Sequence, residues 1–131
     1  MGYDLRRKGD VISVSQFTWI RAYALAIEAG WEPAGTLPPA HWQKKYGPWA
    51  GVYDSNDGQR VAAGDAVKMA AALESMLPAL DPRKAYDRES SDPTLLWGTR
   101  VDTISYFSDP GKRKILELLI KFIRGGEFEI N

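Results

Sequence analysis

The stretch from Asp109 to Gly126 constrains this chain more than any other. Asp109-Pro110 is a helix start, an acidic N-cap followed by a proline at the first helical position. Gly125-Gly126 is a stop. Between them lies Ile115-Leu116-Glu117-Leu118-Leu119-Ile120-Lys121-Phe122-Ile123, in which only Glu117 and Lys121 are polar. With Lys114 and Arg124 they form one narrow polar stripe. A helix apolar over most of its circumference needs other elements around it. The expected architecture therefore puts this helix at the centre and wraps the remaining segments about it.

Two further helices are expected to supply the wrapping. Ser13-Val14-Ser15-Gln16 reads as a capping box, with Ser13 as N-cap and Gln16 reaching back. The helix it opens covers about 14–29, with Val14, Phe17, Ile20, Ala24 and Ile27 at helical spacing and Gly30 as its stop. Trp31 is placed to fold back on its last turn. Trp19 and Tyr23, four apart on a neighbouring face, are read as packing under the loop that follows. The next helix covers about 63–77 and ends at Pro78, with Ala66, Val67, Ala70, Leu73 and Leu77 as its apolar stripe. Asp65 lies in its first turn, where a carboxylate suits the helix dipole.

Strand signals are fewer. Residues 1–12 read as a polar lead-in, with Val11-Ile12 either a short strand or a staple before the first helix. Gly51 to Val61 reads as a short hairpin near 52–61 turning at Asp57-Gly58, or as a bare turn into the next helix. Leu95 to Phe107 fits a helical period through Trp97, Val101, Ile104 and Phe107. Its Thr99, Val101, Thr103 and Ile104 tip the reading toward an extended segment. Phe128-Glu129-Ile130 alternates like a terminal strand that could pair with it. Ala79 to Thr94 is a polar surface excursion and the best candidate for mobility. The fold class is mainly α with minor β (α+β): three principal helices, about 14–29, 63–77 and 110–124, organised around the C-terminal one, in a single domain over residues 1–131.

Charge and composition exclude several functions. Lys plus Arg and Asp plus Glu are both 17, which removes the usual electrostatic case for a nucleic-acid partner. No cysteine means no thiolate nucleophile and no cysteine-based zinc site, and it fits a reducing, cytoplasmic setting. The longest apolar run, Ala22 to Ile27, is far short of a membrane span. Arg6-Arg7-Lys8 is followed by Gly9-Asp10 where a secretory signal needs an apolar run.

Residues 31–50 hold Pro33, Pro38, Pro39 and Pro48 together with Trp31, His41, Trp42, Tyr46 and Trp49. Prolines at this density rule out a long helix, and the aromatics suggest a loop packed down on the domain. His41, Trp42, Tyr46, Trp49, Tyr53 and Asp54 are the candidate ligand-binding set, the aromatics as walls and His41 and Asp54 as polar groups. Asp54, Asn56 and Asp65 sit at positions one, three and twelve of a calcium-loop count. The sharp-turn glycine, Gly58, falls one position early, and the twelfth residue is not the bidentate Glu. That favours a turn followed by an acidic helix start, so no metal and no cofactor are expected. A lone His41 and no nucleophile-elbow glycine pattern leave no catalytic residues to nominate. Lys112-Arg113-Lys114 reads as a solvated face balanced by Asp109 and Glu117.

Several segments together carry a resemblance. They are Gly30-Trp31-Glu32-Pro33-Ala34-Gly35-Thr36, Ser55-Asn56-Asp57-Gly58-Gln59 and the ending Arg124-Gly125-Gly126 with Phe128 and Ile130. With the Met-Gly-Tyr opening, the chain resembles a group of small, uncharacterised bacterial proteins. Glu127 between Gly126 and Phe128 departs from the tighter Gly-Gly-Phe ending of that group. The resemblance implies a single domain of bacterial, cytoplasmic type and assigns no functional residues. The expected function is a non-catalytic binding or interaction module that presents Trp31–Val61 to a protein partner. The alternative is a small-molecule binder or small enzyme with an aromatic pocket around Trp42–Tyr53.

Overall fold

The computed structural model describes residues 2–43, 46–85 and 100–131. The chain opens on a sheet. β1 (Gly2–Arg7) and β2 (Asp10–Ser15) form an antiparallel hairpin, in register from Gly2 opposite Ser15 to Arg7 opposite Asp10. Period-two alternation is its cause: Tyr3, Leu5 and Val14 point inward, while Arg6, Val11 and Ser13 point out. α1 (Gln16–Glu28) follows directly, then β3 (Gln59–Val61) and α2 (Ala63–Ser75). Two 3-10 turns, Leu77–Ala79 and Pro82–Lys84, precede α3 (Arg100–Ser108), α4 (Pro110–Arg124) and β4 (Phe128–Ile130).

The sheet order is β2-β1-β4-β3, antiparallel throughout, so the C-terminal strand inserts between the first and third. One face, with Leu5, Gln59, Val61, Phe128 and Ile130, is fully buried under the helices. On the other, the register sets Glu129 between Arg6 and Arg60, a favourable cross-strand charge row. The fold is therefore two-layer α+β with a four-stranded sheet. The expectation of a mainly α domain with minor β is overturned by this sheet, whose first two strands take up the supposed polar lead-in and the expected start of the first helix.

α4 has the bounds its caps dictate, and Asp109 accepts the Lys112 N–H at 3.1 Å. It is not the wrapped centre of the molecule. Leu116, Leu119, Ile120 and Ile123 are buried on one face, whereas Leu118 is 52 % exposed. α4 lies in the helical layer against α2, whose buried Ala66, Met69, Ala70 and Leu73 permit the close contact. Arg124 pairs with Glu74 across it.

α1 starts two residues later than the capping-box pattern suggests. Ser15 is the N-cap, its Oγ accepting the Thr18 N–H at 3.1 Å. Ser13 belongs to β2 and donates to Asp4 Oδ1 at 2.6 Å. Pairing of Ser15 with Gly2 extends the strand and displaces the helix start. At the other end Gly30 adopts φ +102, a conformation glycine takes without Cβ strain. The Trp31 N–H then donates to Ala26 O and the Gly30 N–H to Ile27 O, which closes the helix and turns Trp31 inward.

Two other expectations are corrected. No hairpin forms near 52–61: within that stretch only Gln59–Val61 is a strand, and it pairs with β4. Residues 100–108 are helical, not extended, while 95–99 lie outside the described residues. Tertiary contacts override the β-branched composition. Thr103 and Phe107 are fully buried. Thr103 Oγ1 donates to Glu28 Oε2 at 2.7 Å, and the Tyr106 and Thr18 hydroxyls are 2.6 Å apart. β4 accordingly finds its partners in β1 and β3, not in this segment. Of the polar excursion, residues 86–94 lie outside the described residues.

Candidate functional site

The site is built on a buried polar knot where α1, α2 and the intervening loop meet. Asp65, in the first turn of α2, is 6 % exposed. Its Oδ1 accepts Trp31 Nε1–H at 3.1 Å and the Ala34 N–H at 3.2 Å. Its Oδ2 accepts the Tyr53 hydroxyl at 2.5 Å. Tyr53, 4 % exposed, in turn accepts the Gly35 N–H at 2.9 Å. Both carboxylate oxygens are thus occupied, as burial of a charge requires. Burial first, and then the hydrogen bond to Asp65, raise the Tyr53 hydroxyl well above its ordinary pKa. Tyr23 completes the knot, its ring 5.7 Å from Trp31 and 5.3 Å from Tyr53.

From this knot runs an extended segment without regular secondary structure, whose carbonyls are nonetheless accounted for one by one. Gly51 O accepts from the Thr36 N–H at 3.2 Å, and Val52 O from Thr36 Oγ1 at 2.7 Å. Tyr53 O accepts from Trp19 Nε1–H at 2.7 Å, and Asp54 O from the Tyr3 hydroxyl at 2.8 Å. Ser55 O accepts from Gln59 Nε2 at 2.6 Å. Gln59 is fully buried and satisfied: its Oε1 accepts the Asp57 N–H at 3.0 Å, and Nε2 also reaches Ser55 Oγ at 2.9 Å. Gly51 is needed for the turn into this segment. It has φ +72, and a Cβ there would lie 3.3 Å from the Gly35 Cα.

Between this pinned segment and α1 lies a cleft of about 590 Å³. Ile20 and Tyr23, both half-buried, form its helical wall. Trp19 and Tyr53 lie at its floor, buried. Ala50 to Asp54 form the facing wall, and the exposed Asp54 stands at the rim. Among the described residues the Asp54 carboxylate makes no ion pair or hydrogen bond, since only its backbone carbonyl is engaged. Among the described residues no Lys, Arg or His lines the cleft.

Only part of the expected ligand-binding set meets here. Tyr53 and Asp54 line the cleft. Trp42, Tyr46 and Trp49 form a separate aromatic group, with Trp42 5.5 Å from Tyr46 and 5.0 Å from Trp49. Trp42 Nε1–H donates to Gly47 O and Trp49 Nε1–H to Thr36 Oγ1, so these rings hold the loop to itself. His41 is exposed and does not line the cleft. Asp54, Asn56 and Asp65 do not converge as a calcium site. Asp65 is spent on the polar knot, and no group of three acidic or histidine side chains among the described residues could hold a metal.

Sequence reasoning missed Ile20 as cleft wall, and it took Trp19 and Tyr23 only as packing. Their i,i+4 spacing placed them on one helix face under the loop that follows, but nothing local said which residues of that loop would stand opposite. No family model matches the chain, and the comparisons with curated proteins and with solved structures produced no match. Among the described residues no helix is long and apolar enough to cross a membrane.

Proposed function

We propose that this protein is a non-catalytic binding module that takes a small organic ligand in the cleft between α1 and the Gly51–Ser55 segment. The observation that carries the reading is the pinned wall: the Gly51, Val52, Tyr53 and Asp54 carbonyls are each held by a donor. A wall fixed in advance loses little conformational entropy when a ligand arrives. Its volume, about 590 Å³, falls within the range of small-molecule sites. The non-catalytic part rests on the floor: Tyr53 and, behind it, Asp65, which could move protons, are engaged with each other and with backbone N–H groups. The proposed pocket keeps Tyr53 and Asp54 of the expected set and takes Trp19, Ile20 and Tyr23 in place of Trp42, Tyr46 and Trp49. The resemblance to the Met-Gly-Tyr bacterial group and the cysteine-free composition support a cytoplasmic setting for it.

The test is a charge-blind screen. A library of neutral, anionic and cationic fragments is titrated into the labelled protein and followed by amide nitrogen–proton spectra. Saturable shifts gathered on Ile20, Tyr23, Val52 and Asp54 are expected. Shifts scattered over the surface, or none, would end this reading.

A further inference from the structure

We infer that the cleft selects a small organic cation carrying an apolar body, with Asp54 as its counter-charge. The inference rests on the binding reading above and adds the ligand's chemistry. Asp54 is held in place through its backbone by the Tyr3 hydroxyl, at 2.8 Å, while its carboxylate remains uncommitted among the described residues. It stands beside partly exposed Tyr23 and Ile20 and above the Tyr53 floor. A carboxylate next to aromatic faces attracts an ammonium group twice over, by direct charge and by the ring quadrupole.

Among the described residues, the charges that reach the cleft are negative. Asp65 adds its charge from behind Tyr53, and among the described residues no basic side chain lines the walls. Tyr23 registers this: after burial, Asp54 and then Asp65 raise its hydroxyl pKa. An anion entering the cleft would meet that same negative field. A bare metal ion would find a single open carboxylate, because both Asp65 oxygens already accept protein donors. A cleft of about 590 Å³ with apolar walls is also far larger than a bare ion needs.

Three probes of similar size separate the outcomes: benzyltrimethylammonium, benzyl alcohol and benzoate, each titrated into the protein with the cleft amides as readout. Benzyltrimethylammonium is expected to saturate these shifts and to bind tightest. Asp54→Asn should weaken it at least about fivefold, the loss of one partly screened charge pair, and leave benzyl alcohol unchanged. Because only the Asp54 backbone supports the fold, the variant's remaining spectrum should match the parent. Glu129→Asn, which removes a carboxylate from the outer sheet face, should leave all three affinities alone. If benzyl alcohol or benzoate binds as tightly as the cation, or Asp54→Asn changes nothing, the charge selection is wrong while the binding cleft stands. If none of the three binds, the cation inference fails, and the fragment screen decides separately whether the cleft binds anything.

Discussion

Tyr53 concentrates more of this protein's physical chemistry than any other residue. It donates to a buried carboxylate, accepts a backbone N–H and offers its own carbonyl to Trp19. Tyr53→Phe leaves Asp65 Oδ2 and the Gly35 N–H without their partner, which should lower the unfolding free energy by about 1–3 kcal/mol at neutral pH. The pH dependence has a definite sign. The folded pKa lies above the ordinary value of 10.0, so the Tyr53 contribution is fully present below about pH 10. It is lost as pH rises from there through the folded pKa. Urea unfolding of both proteins should therefore show the parent's advantage shrinking above about pH 10. A constant difference across that range would mean that Tyr53 does not titrate differently on folding. None of this was legible locally: Tyr53 read as a candidate wall, but its carboxylate partner lies on the next helix. The basic run Arg6-Arg7-Lys8 makes the same point. Period two puts Arg7 on the face of Tyr3 and Leu5, where its Nη2 donates to Phe122 O at 2.5 Å and Gly126 O at 3.0 Å. There its charge meets the negative end of α4. Arg6, one residue earlier, points out, and its ion pair with Asp4 at 3.4 Å is exposed.

At the scale of elements, the helix ends divide into those fixed by local chemistry and those moved by pairing. Asp109-Pro110 and Gly30 fall where cap and breaker chemistry places them. The start of α1 does not. The capping-box pattern pointed to Ser13 with Gln16. Strand pairing to Gly2 decided for Ser15. Ser15→Ala should cost about 1 kcal/mol, the usual value of an N-cap. Ser13→Ala, which removes an exposed hydrogen bond to Asp4, should stay within about 0.5 kcal/mol. Thermal or urea melts of the two variants give the ordering directly. If Ser13→Ala proves the costlier, the helix begins earlier than described. α3 shows the opposite override. Its β-branched residues favour a strand, but burial of Thr103 and Phe107 and the Thr103–Glu28 hydrogen bond hold it helical.

For the whole molecule, the last five residues matter more than their number suggests. β4 joins β1 to β3, and Phe128 and Ile130 are essentially buried. Those two side chains alone are worth about 1.5–3 kcal/mol each, against a total stability of about 5–15 kcal/mol for a typical domain. The Gly58 N–H to Ile130 O bond and the reciprocal Asp4–Asn131 backbone pair go with them. A chain ending at Gly126 should therefore lose its cooperative thermal transition, followed by near-ultraviolet circular dichroism. A retained sharp transition would mean that the helical layer folds without a closed sheet. Local order was readable from residues because caps, breakers and amphipathic stripes act over one or two helical turns. Asp109, Gly30 and the apolar face of α4 needed no partner to be recognised. The sheet order, the Arg7 cap reaching a carbonyl 119 residues away and the cleft facing Ile20 and Tyr23 are of another kind. Each depends on which distant segment supplies the missing hydrogen-bond partner or apolar wall, and a short window of sequence does not contain that partner.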